Sequence, residues 1–158
     1  AIKGACGDYP EGYRAPTWSL KGREAKFLPL IKAAGFRYDA SLYPLTAASP
    51  RAPYEVIPGL TEFPPSVFRV LGLGLPFLGG TFLRCASAGF MKRRVAALNA
   101  AGLPAVLYMH PWEFAPAPAG LPFCKRALQY YNAGTVPAKA DALLASFEWG
   151  PMRAVLGK

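Results

Sequence analysis

Pro104-Ala105-Val106-Leu107-Tyr108-Met109-His110-Pro111-Trp112-Glu113 is the stretch whose reading decides the fold. Its first six residues form a continuous apolar run of strand length. Such runs are buried on both faces of a parallel sheet. His110-Pro111-Trp112-Glu113 then falls at the C-terminal end of that strand. In barrels and open α/β sheets, strand C-termini are where sites are built.

Upstream of this strand, Ser87 is an N-cap candidate, Met91, Val95 and Leu98 share one helical face, and Gly102 is a stop. Residues 60–84 are apolar, with β-branched and aromatic side chains, and are broken by Gly72, Gly74, Gly79 and Gly80. They read as one or two strands with turns. Residues 44–59, rich in proline and alanine, read as a surface loop, and residues 36–41 as a short strand ending in Asp39-Ala40-Ser41. Before them, Phe27, Leu28, Ile31 and Ala34 share a helical face, with Ser19 as the N-cap candidate and Gly35 as the stop. Pro29 inside that pattern kinks the helix or delays its start. Residues 1–18 read as a strand end at Ile2-Lys3-Gly4 followed by a loop. Downstream, a Pro/Ala/Gly loop over 115–122 leads to helical patterns at 126–131 and 138–147. The alternation argues for an α/β fold with a largely parallel sheet.

The 158 residues suffice for a compact domain with a real core, and a hydrophobic content of 53% argues against disorder. The formal net charge of +9 suits an anionic partner in principle. The bases are scattered, however, and the densest run, Lys92-Arg93-Arg94, reads as a solvated helix face, so no nucleic-acid partner is expected. Three cysteines, Cys6, Cys85 and Cys124, are widely spaced and suggest neither a disulfide framework nor a zinc knuckle. No apolar run reaches membrane-spanning length. The chain opens at Ala1, almost directly on a loop, which leads us to expect a piece cut from a longer protein. The compartment stays open.

The chemistry-bearing residues are few. His110 is the only histidine, and a neutral imidazole at a strand end suits general acid or base work. Arg14, in Gly12-Tyr13-Arg14-Ala15-Pro16-Thr17-Trp18, suits a bidentate clamp on a carboxylate, or a cation shielding a tryptophan face. A buried Asp39 needs a partner, for which Arg14 and His110 are candidates, unless it caps backbone N–H groups in a turn. Glu62 and Glu113 are further carboxylates near strand ends. Trp18, Tyr108 and Trp112 suit stacking on sugar faces or core burial. There is no His-x-x-His, His-Glu-x-x-His, Gly-x-Ser-x-Gly or P-loop pattern.

Taken in order, five segments resemble the polysaccharide deacetylases of carbohydrate esterase family 4, and within it the exosortase-associated exopolysaccharide branch. They are Gly12-Tyr13-Arg14-Ala15-Pro16-Thr17-Trp18, Gly35-Phe36-Arg37-Tyr38-Asp39-Ala40-Ser41-Leu42-Tyr43-Pro44, Gly59-Leu60-Thr61-Glu62-Phe63-Pro64, Gly79-Gly80-Thr81-Phe82-Leu83-Arg84 and Leu107-Tyr108-Met109-His110-Pro111-Trp112-Glu113-Phe114. The resemblance implies part of a distorted (β/α)7 barrel whose N-terminal strands are missing, with residues 1–120 in the barrel and 121–158 as a helical extension. It implies metal-dependent removal of acetyl groups from a polysaccharide. The divalent metal is usually zinc, held by the aspartates and histidines of two motifs expected before Ala1, in the missing N-terminal half of the same barrel. No metal ligand is assigned to this chain.

The resemblance also implies roles for residues that are present. Arg14 and Pro16 match an Arg-x-Pro motif in which the arginine tunes an aspartate base. The backbone N–H of Thr17, at a position where the family often has tyrosine, would steady the oxyanion. Asp39 would orient the catalytic histidine, with Glu62 as its rival. Leu107 would shape the acetyl-methyl pocket, and His110 would protonate the leaving amine. Trp18 and Trp112 would line the groove, and Ala115 stands where this branch often has an aspartate. The chain alone is then expected to be inactive, with uncovered apolar faces. Two rivals remain: a degenerate barrel that binds glycan without cleaving it, and a basic nucleic-acid binder.

Overall fold

The structure, a computed structural model, describes residue 4 and residues 7–156, which group into two compact units. One runs to Pro65 and takes up the chain again from Gly150, and the other spans Ser66–Trp149. The strand end expected around Ile2 and Lys3 lies outside the described residues, as does Cys6.

The first unit is built on a four-stranded sheet in the order β1-β2-β4-β3: β1 (Gly12–Tyr13), β2 (Tyr38–Asp39), β3 (Tyr54–Ile57) and β4 (Leu60–Glu62). β1, β2 and β4 run parallel, and β3 pairs antiparallel with β4. Helix α1 (Glu24–Ala33) connects β1 to β2. It starts later than Ser19, which instead closes the 3-10 turn Pro16–Trp18 through its N–H to the Pro16 carbonyl. Pro29 is accommodated inside the helix. The helix ends in a Schellman motif: the Gly35 N–H bonds to the Lys32 carbonyl and the Phe36 N–H to the Ile31 carbonyl, with Gly35 at φ +90°. Leu28 and Ile31 pack with Ala15, Leu20 and Leu60 in the core, whereas Ala34 is exposed. The expected 44–59 loop therefore contains a strand. Tyr54, Val56 and Ile57 are β-branched or aromatic, and that composition outweighs the flanking prolines.

The second unit carries the antiparallel hairpin β5 (Val67–Val70) and β6 (Leu73–Pro76), then α2 (Gly80–Cys85), α3 (Ala88–Ala100), α4 (Phe123–Tyr130) and α5 (Val136–Leu144). Ser87 caps α3 by accepting the Phe90 N–H at 3.2 Å. Met91, Val95 and Leu98 face the core, where they meet Phe77, Leu78, Leu83, Val136 and Leu143. Residues 80–84, expected among the strands, form the short helix α2. Its last carbonyls are met from a distance: Lys139 Nζ donates to Leu83 O and Arg84 O, and Asn132 Nδ2 donates to Arg84 O. Burial holds the Lys139 amine below its ordinary range.

The stretch 104–109 is extended, yet it is no sheet strand. It makes one parallel bridge, Tyr108 to Gly79, and the Val106 N–H is taken by the Ser66 hydroxyl at 2.7 Å. Pro104 has no N–H to offer a ladder, and Met109 is already exposed. The run is apolar because Ala105 and Leu107 pack against the helical core. The fold is thus mixed α/β, and the described strands form two open sheets with no closed barrel among them. No helix among the described residues is long and apolar enough to cross a membrane.

Replacing the α3 cap, Ser87→Ala, is expected to lower unfolding free energy by about 1 kcal/mol. Leu83→Ala, at a fully buried position, should cost about 2–5 kcal/mol. Leu30→Ala, on the exposed face of α1, should stay within about 0.5 kcal/mol. Urea unfolding of the three variants checks the order.

Candidate functional site

In the second unit, the extended stretch delivers His110 to a one-turn 3-10 helix, Pro111–Phe114. Proline is suited to the first position of such a turn because its missing N–H is not needed there. The turn places Glu113 back under His110. The Glu113 N–H bonds to the His110 carbonyl at 2.9 Å, and Glu113 Oε2 accepts the His110 backbone N–H at 2.9 Å. The same oxygen lies 3.2 Å from His110 Nδ1. A carboxylate so placed selects the tautomer with its proton on Nδ1 and leaves Nε2 free to accept one.

Glu113 is buried, its side chain 1% exposed, so its charge needs a partner. Arg84 supplies it, with Nε 3.4 Å from Glu113 Oε1. The guanidinium is anchored by the carbonyls of Leu128 and Tyr131 and by the Thr81 hydroxyl. His110 itself is partly exposed, stacked on Trp112 with ring centres 4.2 Å apart and met edge-on by Tyr108. Tyr108 lies so close to Gly79 that a Cβ there would sit 2.4 Å from its ring. Gly80, at φ +53°, would bring a Cβ to 3.6 Å from His110 Cε1. Glycine is therefore required at Gly79 by the close approach of the Tyr108 ring and favoured at Gly80 by its left-handed backbone, since 3.6 Å to His110 is an ordinary contact.

In the first unit, β1 runs into Arg14, the buried Ala15 and the turn Pro16–Trp18. Thr17 and Trp18 both hold positive φ, 54° and 57°. Left-handed backbone at two successive non-glycine residues is strained and clusters at functional sites. The Arg14 guanidinium lies 4.2 Å over the Trp18 ring, which is the tryptophan-shielding arrangement. Trp18 also meets Tyr43 edge-on and lines a cavity of about 530 Å³ with Lys21, Leu42, Pro44 and Tyr54.

Asp39 ends β2 and is fully buried. Its Oδ1 accepts from the Ser41 hydroxyl at 2.6 Å, and its opposite number across the sheet is Glu62. The Leu42 N–H donates to Glu62 Oε1 at 2.9 Å. Burial pushes the Glu62 carboxyl up to about 8; the Leu42 N–H opposes that rise and the nearby Asp39 adds to it.

Leu107 packs against the helical core, Pro16 and Thr17 are exposed at their turn, and Trp112 is exposed. Two partners went unrecognised in the sequence. Glu113 was visible as a carboxylate three residues after His110 across a proline-fixed turn, a spacing that closes hydrogen bonds. Arg84 gave no local signal, because it is brought in from α2. Among the described residues, no group of three or more His, Cys, Asp or Glu is placed to hold a metal ion.

A family model described as a domain of unknown function, DUF3473, matches residues 35–157. Comparison with curated proteins and with solved structures gave no match.

Arg84→Met is expected to cost about 3–5 kcal/mol in chemical unfolding, because it strands the buried Glu113 charge. Glu113→Ala removes the acceptor facing Nδ1 and is expected to shift the His110 tautomer balance away from the Nδ1–H form. Nitrogen NMR of the single imidazole reads this directly.

Proposed function

Because the chain belongs to the DUF3473 family, whose description assigns no activity, its chemistry has to come from its own residues, and we propose that it supplies the acid-side groups of a polysaccharide deacetylase. The observation that carries this reading is the held imidazole. His110 is the only histidine, is partly exposed, is fixed through Nδ1 by a buried Glu113, and is stacked on an exposed Trp112. That is the equipment of a general acid–base. In this role Nε2 carries the proton that passes to the leaving amine as the acetyl–nitrogen bond breaks. Glu113 keeps the ring oriented and stabilises the charge the ring gains when it accepts a proton. Within the first unit taken by itself, the left-handed turn at Thr17 is a further functional candidate. Trp18 and Trp112 offer aromatic faces to sugar rings.

On this reading the three parallel strands β1, β2 and β4, with α1 between the first two, are a portion of the distorted (β/α)7 barrel. A divalent metal would be held by residues other than those described. The exposed Trp112 also fits a second reading, a glycan-binding module that does not cleave.

Acetate release from an N-acetylated glucosamine polymer tests the proposal. The 158-residue chain alone is expected to release none. Joined to an N-terminal segment bearing the metal-binding motifs of the family it resembles, it should release acetate, and His110→Ala should lower kcat about a hundred- to ten-thousand-fold with little change in KM. Unchanged turnover in that variant would overturn the assignment. Retention on the polymer without release, lost in Trp112→Ala, would favour the binding module.

A further inference from the structure

Two carboxyl groups meet inside the first unit. Asp39 on β2 and Glu62 on β4 stand directly opposite in a parallel pair, and both are fully buried. Each has one satisfied oxygen: Asp39 Oδ1 by the Ser41 hydroxyl, and Glu62 Oε1 by the Leu42 N–H. The remaining oxygens, Asp39 Oδ2 and Glu62 Oε2, have no donor. The ion pairs described in this unit join Arg37 and Arg153 to Glu11 and do not reach the pair. Two ionised carboxylates here would be two neighbouring charges in a medium that solvates neither. One proton between them removes one charge and gives each orphaned oxygen a partner.

We propose that Asp39 and Glu62 share a single proton, and that this shared proton latches together the turn bearing Arg14 and Trp18 and the segment that follows β2. The connections are direct. The Ser41 hydroxyl that donates to Asp39 also accepts the Ala15 N–H at 2.8 Å, at the base of that turn. Leu42, tied to Glu62, lines the same 530 Å³ cavity as Ser41 and Trp18. Deprotonation makes each carboxylate a better acceptor but sets two buried charges against each other, and it is this repulsion that pulls both ties apart. This inference is independent of the deacetylase reading and applies to the chain without substrate.

The surrounding groups leave the pair as the titrating unit. Tyr54 of β3 stands opposite Glu62, and its hydroxyl is pushed up, by burial first and then by Glu62, Asp39 and Glu24, so it stays neutral through the relevant range. Glu24 of α1 is held below the ordinary carboxyl range, by backbone N–H groups first. Lys21 lines the cavity, and the Arg14 guanidinium sits over Trp18. The folded chain keeps a proton on Glu62 up to about 8, whereas the unfolded chain releases it near the ordinary 4.5. The stabilisation is complete below the lower value and is lost as pH rises through the upper one.

Amide exchange of the 158-residue chain, followed by NMR at about pH 6.5 and about pH 9.5 and corrected for intrinsic rate, tests the latch. Protection at Leu42 and Ala15 should fall about tenfold or more in the parent chain. In Glu62→Gln it should hold, because the amide keeps an acceptor for the Leu42 N–H and a donor toward Asp39. Infrared spectra of the parent chain should show a protonated carboxyl band at the lower pH that vanishes at the higher one. They decide the question even if the glutamine variant fails to fold. Absence of that band at the lower pH, or a parallel loss of protection in parent and variant, would overturn the proposal.

Discussion

The buried carboxylate of Glu113 constrains everything around the imidazole. A charge with almost no exposure has to be answered on every side. Arg84 answers one oxygen, and the backbone N–H and Nδ1 of His110 share the other. Arg84 in turn draws carbonyls from α4 and the turn after it. The ring is therefore held by Glu113 Oε2, whose carboxylate pairs as an ion with Arg84 without a hydrogen bond between Arg84 Nε and Glu113 Oε1. One face of the ring is stacked on Trp112.

The same physical demand is met differently in the first unit. There two acids lie side by side on parallel strands, and the ion pairs described in that unit include no arginine bridge of the Arg84 kind. Where the second unit neutralises its acid with a cation, the first has a proton available. The difference matters for behaviour. A guanidinium stays charged across the whole accessible pH range, while a proton shared between carboxyls can be titrated away. One arrangement is a fixed brace, and the other is a contact that responds to pH.

Backbone geometry serves both places. Gly79 lets the Tyr108 ring approach the chain closely, Gly80 supplies a left-handed backbone beside it, and Thr17 and Trp18 accept left-handed conformations that a β-branched and an aromatic residue normally avoid. The Ala15 N–H to Ser41, together with the Arg14, Trp18 and Tyr43 side chains gathered at that turn, over-determines the strained segment.

Much of this was written locally in the chain. The 3.6-residue periodicity of an α-helix, met by Met91, Val95 and Leu98 with Ser87 before them and Gly102 after, fixed α3, since helix faces and caps depend on near neighbours. Residues 104–109 misled, because an apolar run reports burial and says nothing about which atoms take the backbone hydrogen bonds. The hidden strand at Tyr54–Ile57 was masked by prolines on both sides. By itself the sequence determined where helices such as α3 begin and end and that His110 follows an extended apolar segment. Only the tertiary structure decided that Glu113 and Arg84 hold that ring and that Asp39 faces Glu62, because a charge's partner is chosen by what burial brings beside it, across separations that no local pattern spans.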